Sequence, residues 1–247
     1  VFHPPDRGLA FPCGCSINRC AAHYSPLPGD QTVLGESDVM KIDFGVSVNG
    51  HIIDSAFTVC FDDRFKPLID ASKEATECGI RMAGPDARLS EIGEAIEEVI
   101  TSHTIELDGK VYTIKPVKNL CGHQMSQYII HCGKMIPICK SPRPETDKME
   151  FGEVYALETF ATTGKGIVFD DGATSHFMVS QRAPPVRAGP MRDLFNFLKE
   201  NYRTMAFSQR AIERVGRTSY STTLEQLIKA KVVDAYPPLS DVVGSYV

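Results

Sequence analysis

The most constraining stretch of the chain is Met40–Phe61, MKIDFGVSVNGHIIDSAFTVCF. Two runs rich in β-branched and aromatic residues flank Asn49-Gly50, the dipeptide best suited to the two positive φ angles of a type I′ turn. The stretch therefore reads as a β-hairpin with those two residues as its loop. That register sets Val48 opposite His51, Val46 opposite Ile53, Gly45 opposite Asp54 and Phe44 opposite Ser55. Side chains alternate along a strand, so Ile42, Phe44, Val46, Ile53, Phe57 and Val59 share one face, which reads as the core side. The other face carries Asp43 and Asp54 one diagonal step apart, roughly 7–8 Å between the strand positions. Gly45 stands between them and fills no space. Two carboxylates so placed repel each other unless a cation lies between them; two solvated acids on a polar face are the other reading of the hairpin taken alone.

With 247 residues the chain fits one large domain or two small ones and can bury a sizeable core. Its 43% hydrophobic and 23% charged residues are ordinary for a globular protein. No apolar run reaches the length of a bilayer span, so no membrane partner is expected. Val1–Pro5 does not read as a signal peptide and the chain does not begin with Met, so it reads as a fragment or a processed product. A net charge of −5 argues against a nucleic-acid scaffold and against DNA as a partner. The 8 cysteines show no C-x-x-C zinc spacing, which makes them free thiols and the cytoplasm the expected compartment.

Residues 8–30 alternate short apolar pieces with Gly, Pro and Asn, a loop or short strand containing His23. Leu68, Ala71, Ala75, Cys78 and Ile80 predict a helix over Arg64–Ala83. Leu89, Ile92, Ile96 and Val99 predict a second over Leu89–Thr101. Asp108-Gly109 marks another hairpin. His123 and His131 are separated by an even number of residues, so in an extended strand both imidazoles would point to one side. In EVYALETF (153–160) a strand would align Val154, Ala156, Glu158 and Phe160, setting the Glu158 carboxylate in an apolar row where it needs a cation, a partner or a proton. The following ATTGKG lacks phosphate-loop spacing. His176 stands at a possible strand start. After a Pro-rich stretch at 181–190, helices are predicted over about 191–216 and 221–232. Segment 182–217 holds eight Lys/Arg against three Asp/Glu; a solvated face is the ordinary reading of such a run and docking on RNA or a ribosome the minor one.

Asp43, Asp54, His123 and Glu158 thus stand out, with His23, His131 and His176 as unattached imidazoles. Three carboxylates and an imidazole are hard or borderline donors that suit a pair of divalent ions such as Mn, Fe, Co or Zn, and two such ions support metal-assisted hydrolysis. The segments GLAFPCGCSINRCAAHYSP, KIDFGVSVNGHIIDSAFTV, NLCGHQMSQYIIHCGK, EVYALETFATTGKG and SHFM, in this order and spacing, closely resemble type 2 methionine aminopeptidases. The resemblance runs from about Gly8 to the last residue and includes the helical stretch between His176 and Tyr236.

The resemblance implies an α+β pita-bread fold, with a curved antiparallel sheet, helices on its convex side and metals at its centre. It divides the chain into a catalytic core over 1–176, a helical insert over 177–236 and a return to the core over 237–247. It implies a cytoplasmic, monomeric dinuclear-metal aminopeptidase that removes the initiator methionine from nascent polypeptides by metal-hydroxide attack on the peptide carbonyl. Asp43, Asp54, His123 and Glu158 become the metal ligands, and Glu158 also handles a proton. His131 and His176 are expected beside the scissile peptide. His23 is the imidazole near the substrate that fumagillin-like epoxides alkylate. Phe11, Ile130, Phe160, Ala206 and Tyr236 are expected to line the methionine pocket together with His23 and His131. Two departures from the family pattern stand out. Family members carry a second ligating Glu just after the segment matching Gly244-Ser245-Tyr246, whereas this sequence stops at Val247 before it, and the family's N-terminal part of the catalytic domain is missing too, so the piece alone is expected to be neither stable nor fully active. A non-catalytic homologue that binds protein or RNA and an Xaa-Pro aminopeptidase are the alternatives; the first typically loses ligands that are present here, and the second does not account for the helical insert or the His23 motif.

Overall fold

The Asn49-Gly50 turn organises the structure as its chemistry dictates. The computed structural model describes residues 7–141 and 146–247; the opening Val1–Pro5 segment lies outside them. Asn49 and Gly50 both take the left-handed conformation, with φ of 51° and 79°. They join β3 (Met40–Val48) to β4 (His51–Val59) in the expected register, Gly45 opposite Asp54 and Val46 opposite Ile53. The preceding strands are β1 (Arg7–Ile17), which pairs antiparallel with β3, and β2 (Cys20–Ala22).

The two faces of this hairpin are the reverse of the expected ones. Ile53 is 63% exposed and Phe57 53%, with Phe44 and Val46 exposed beside them, whereas Lys41, Ser47 and Ile52 are buried. Alternation assigns residues to faces but does not say which face turns inward. Here the inward face carries the two acids, because the other candidate ligands approach from that side.

Two helices follow, α1 (Lys66–Met82) and α2 (Leu89–Thr101). Leu68, Ala71 and Ala75 of α1 meet Leu89, Ile92, Ile96 and Ile100 of α2 in one core cluster with Ile105, Ile114, Ile136 and Ile138. Ile80 lies outside this stripe and is exposed; Gly79 takes the buried position one residue earlier. The chain continues through β5 (Thr104–Leu107), β6 (Lys110–Thr113), β7 (Lys115–Pro116), β8 (Cys121–Met125), β9 (Met135–Pro137), β10 (Val154–Ala156), β11 (Ala161–Thr162), β12 (Phe169–Asp170) and β13 (His176–Val179). The Asp108-Gly109 turn joins β5 to β6 as predicted. The strand expected over 153–160 is shorter, ending at Ala156, and Val154 is exposed rather than part of an apolar row.

Beyond β13 come α3 (Pro190–Tyr202), α4 (Gln209–Glu213), α5 (Ser221–Lys229), β14 (Val233–Tyr236) and β15 (Leu239–Ser240). The single helix predicted over 191–216 is broken, because Arg203 turns to φ 50° and leads Met205 into the core. These elements share their own cluster, in which Phe177, Leu194, Leu198, Phe207, Leu224 and Leu227 meet. Among the described residues the strands form six antiparallel sheets of two or three strands, not one continuous ladder. One of them, β12-β15-β2, joins the two ends of the described chain. No helix of the described residues is long and apolar enough to cross a membrane.

Candidate metal centre

Asp43 and Asp54 project from the inward face of β3 and β4. Their spacing is kept open from the neighbouring strand. Gly14 of β1 stands opposite Asp43, and Phe11 stands opposite Gly45. A Cβ at Gly45 would overlap the Phe11 ring, so only glycine lets that ring lie against the hairpin between the two acids.

The remaining candidates come from the β8–β10 pair, where His123 faces Ala156. This pairing sets Glu158, two residues past Ala156, beside the imidazole. His123 Nε2 lies 3.4 Å from Glu158 Oε1 and 3.6 Å from Asp54 Oδ2. Asp43 Oδ1 and His123 Nδ1 are buried without a hydrogen-bond partner. A buried carboxylate oxygen with no donor costs on the order of 1–3 kcal/mol or more, and a cation removes that cost. Three carboxylates and one imidazole are the donor set of a divalent ion. Among the described residues no three His, Cys, Asp or Glu side chains are drawn in around a single point; the four approach one another in pairs. Their chemistry and the orphaned Asp43 oxygen fit a metal.

Electrostatics point the same way. Burial, and then the diagonal neighbour Asp54, push Asp43 up to about 7 against the pull of His123. Burial, followed by Asp54 and Asp43, raises Glu158 well above the usual carboxylate range. Its side chain keeps 35% of its surface open and lines a cavity. Both shifts arise first from burial and then from neighbouring negative charge, and a bound cation counters both.

That cavity, about 490 Å³, takes in Asp43, Asp54, Glu158, Phe160 and Lys41 but none of the imidazoles. Lys41 has no place in the sequence reading. Its ammonium is buried, donates to the carbonyls of Asn18 (2.8 Å) and Val39 (3.3 Å), and is pushed down to about 7 by burial. The available signal was parity: Lys41, Asp43 and Gly45 alternate onto one face.

The histidines gather on another side of the four ligands. His131 stands edge-on to His123 with ring centroids 4.2 Å apart. Strand parity does not bring them together, since β8 ends at Met125 and a turn returns His131. His23, at φ 67° just past β2, lies 5.8 Å from His176 and 6.0 Å from Tyr236, centroid to centroid. Tyr236 of β14 pairs with His176 of β13. Burial holds His23 below its ordinary range and lowers His131 and His176 to about 4, so all three are neutral at pH 7. Of the expected pocket residues, Phe11, Ile130 and Ala206 share one small cluster with Met125 and Met205. Phe160 packs elsewhere, between two other clusters, and Tyr236 lies with His23 and His176.

The hairpin, the helices and the antiparallel pairs are those of the pita-bread fold. The chain belongs to metallopeptidase family M24, whose model matches residues 5–181. Methionine aminopeptidase 2 of Komagataella phaffii is 51% identical over 244 residues, covering 97% of this chain and 54% of that protein. The chain thus spans about half the length of such relatives. Among solved structures, methionine aminopeptidase from Thermotoga maritima is 25% identical with a TM-score of 0.54, over 64% of this chain and 60% of that one. A thermophilic Arx1 matches at TM-score 0.79 and 14% identity, over 98% of this chain and 71% of that one, a likeness of fold alone.

Proposed function

We propose that this chain carries the core of a dinuclear-metal aminopeptidase that removes the N-terminal methionine from nascent polypeptides, as a monomer in the cytoplasm. The observation that carries the reading is the approach of Asp43, Asp54, His123 and Glu158 to one another with a buried, unpartnered Asp43 oxygen among them. Asp43, Asp54, His123 and Glu158 would hold the ions, from among Co, Mn, Fe and Zn. When bound, such ions supply a water of lowered pKa and a Lewis acid for the peptide carbonyl.

The chain's own residues do the rest. Glu158, set beside the His123 imidazole at 3.4 Å, receives the proton of the attacking water and returns it to the departing amine. His131 and His176, neutral through burial, donate hydrogen bonds to the oxygen on which charge develops. Phe11, Ile130 and Ala206 bind the unbranched thioether side chain by apolar contact. His23 and Tyr236, ring beside ring, complete the substrate side. The named relative and the family match support this reading.

The test is hydrolysis of a Met-Gly-Met peptide by the intact protein, metal-free and then with Mn, Co, Fe or Zn, beside Asp54→Asn and His23→Ala. Release of methionine that depends on metal and is lost in Asp54→Asn is the expected result. A folded, metal-loaded protein that releases none overturns the reading.

A further inference from the structure

One side chain beside the imidazole cluster has no part in the reading above. Ser175, 1% exposed, lies at the centre of a hydrogen-bond node that spans the chain. Its Oγ accepts from the backbone N–H of Ser25 at 3.0 Å. The same oxygen lies 3.0 Å from His176 Nδ1 and 3.0 Å from the His23 carbonyl oxygen. On the far side of the ring, His176 Nε2 lies 3.1 Å from the Pro12 carbonyl oxygen. Ser25 is itself fully buried and accepts at its hydroxyl from Arg210 of α4.

The proton count decides the arrangement. A carbonyl only accepts, so the contact with Pro12 requires a hydrogen on Nε2. Burial keeps His176 neutral at pH 7, and a neutral imidazole that carries Nε2–H has a bare lone pair on Nδ1. The Ser175 hydroxyl has one proton and two candidate acceptors, Nδ1 and the His23 carbonyl. With Nδ1 bare the hydroxyl turns to it, while the Ser25 N–H occupies an oxygen lone pair. Were the ring to gain a proton, Nδ1–H would donate to Oγ and the hydroxyl would swing to the His23 carbonyl. The node satisfies either state without moving a heavy atom.

We infer that Ser175 is a positioning residue that, together with the Pro12 carbonyl on the far side of the ring, holds His176 as an Nε2–H donor, and that Arg210 of the insert steadies Ser175 through Ser25. The aimed hydrogen, parked on Pro12, is then available to a substrate oxygen without a change of tautomer. The catalytic use of that donor rests on the aminopeptidase reading; the tautomer itself does not.

The experiment is ¹⁵N NMR of the intact, zinc-loaded protein labelled at histidine, with the His176 signals assigned by their loss in His176→Gln. In the wild type at pH 7, Nδ1 is expected in the unprotonated range and Nε2 in the protonated range. In Ser175→Ala the two are expected to move toward each other as the tautomers mix, with Ser175→Thr restoring the original pattern. In parallel, kcat for a methionyl tripeptide is expected to fall roughly 10- to 100-fold in Ser175→Ala with KM within about twofold. A circular-dichroism melt checks that each variant is folded. If Ser175→Ala does not fold, Arg210→Met must displace the His176 signals in the same direction. A protonated Nδ1 in the wild type, or unchanged His176 signals in folded Ser175→Ala, overturns the inference. Tautomer shifts as expected in a protein that cleaves no methionyl peptide would uphold the positioning role and remove the aminopeptidase reading instead.

Discussion

Asp43 is the residue on which charge and packing meet. Its folded-state pKa, about 7 through burial and the neighbouring Asp54, lies above the usual value of about 3.9 for an unfolded aspartate. The metal-free native state therefore binds more protons than the unfolded one between those values, and stability falls as pH rises through that window. Asp43→Asn removes the dependence. Urea denaturation of the metal-free variant should show stability equal to wild type near pH 4 and a gain of roughly 1–2 kcal/mol near pH 8, after discounting for solvent in the cavity. The same variant should bind zinc far more weakly by calorimetry, so the gain disappears when metal is present. Gly45 makes the complementary point about space. Gly45→Ala forces the Phe11 ring off its seat; a cost of roughly 1–3 kcal/mol is expected from overpacking, read as a lowered denaturation midpoint.

At the scale of the element, α2 shows the sequence at its most legible. Its apolar spacing predicted Leu89–Thr101 and those are its bounds, because a helix packed on one side must repeat its contacts every turn. Ile96→Ala opens a void among fully buried residues and should cost roughly 2–5 kcal/mol, measured by urea denaturation, with zinc affinity of the folded protein unchanged. The hairpin was legible in register but not in orientation: the Asn-Gly turn fixes who faces whom, yet a strand whose polar side holds a charged cluster inverts the usual rule about which side is dry. The approach of His123 to Asp54 and Glu158 was legible only through the resemblance, since three separate elements supply them and no local spacing records that. The break between α3 and α4 had no signal, as neither Gly nor Pro interrupts residues 191–215; it follows from tertiary demand for Met205 in the cluster with Phe11. Ser175 was invisible for the same reason, its partners lying at His23, Ser25 and His176.

At the scale of the whole molecule, closure depends on Asp241. Buried at 2% exposure, its carboxylate accepts from the backbone N–H groups of Lys165, Gly166 and Val242 and from the Thr162 hydroxyl. Burial alone would raise its pKa, but these donors outweigh it and hold the group below its ordinary range. A depressed folded-state pKa gives stability that is present above the unfolded value and lost as pH falls through the folded one. Asp241→Ala strands three backbone donors and should cost roughly 3–5 kcal/mol at pH 7, with the deficit shrinking toward pH 2 in acid titrations followed by circular dichroism. A deficit that stayed constant with pH would assign the loss to packing instead.

The sheet β12-β15-β2 sets Cys20 opposite Ser240 and Ala22 opposite Leu239, and that pairing has a consequence in time. A strand made among the first residues of the described chain meets its partner only among the last. At a synthesis rate of roughly 5–20 residues per second, β2 waits about 10–45 s with one edge unpaired. His23 follows directly on that strand, so its place beside His176 is settled after most of the core around α1 and α2 has been made.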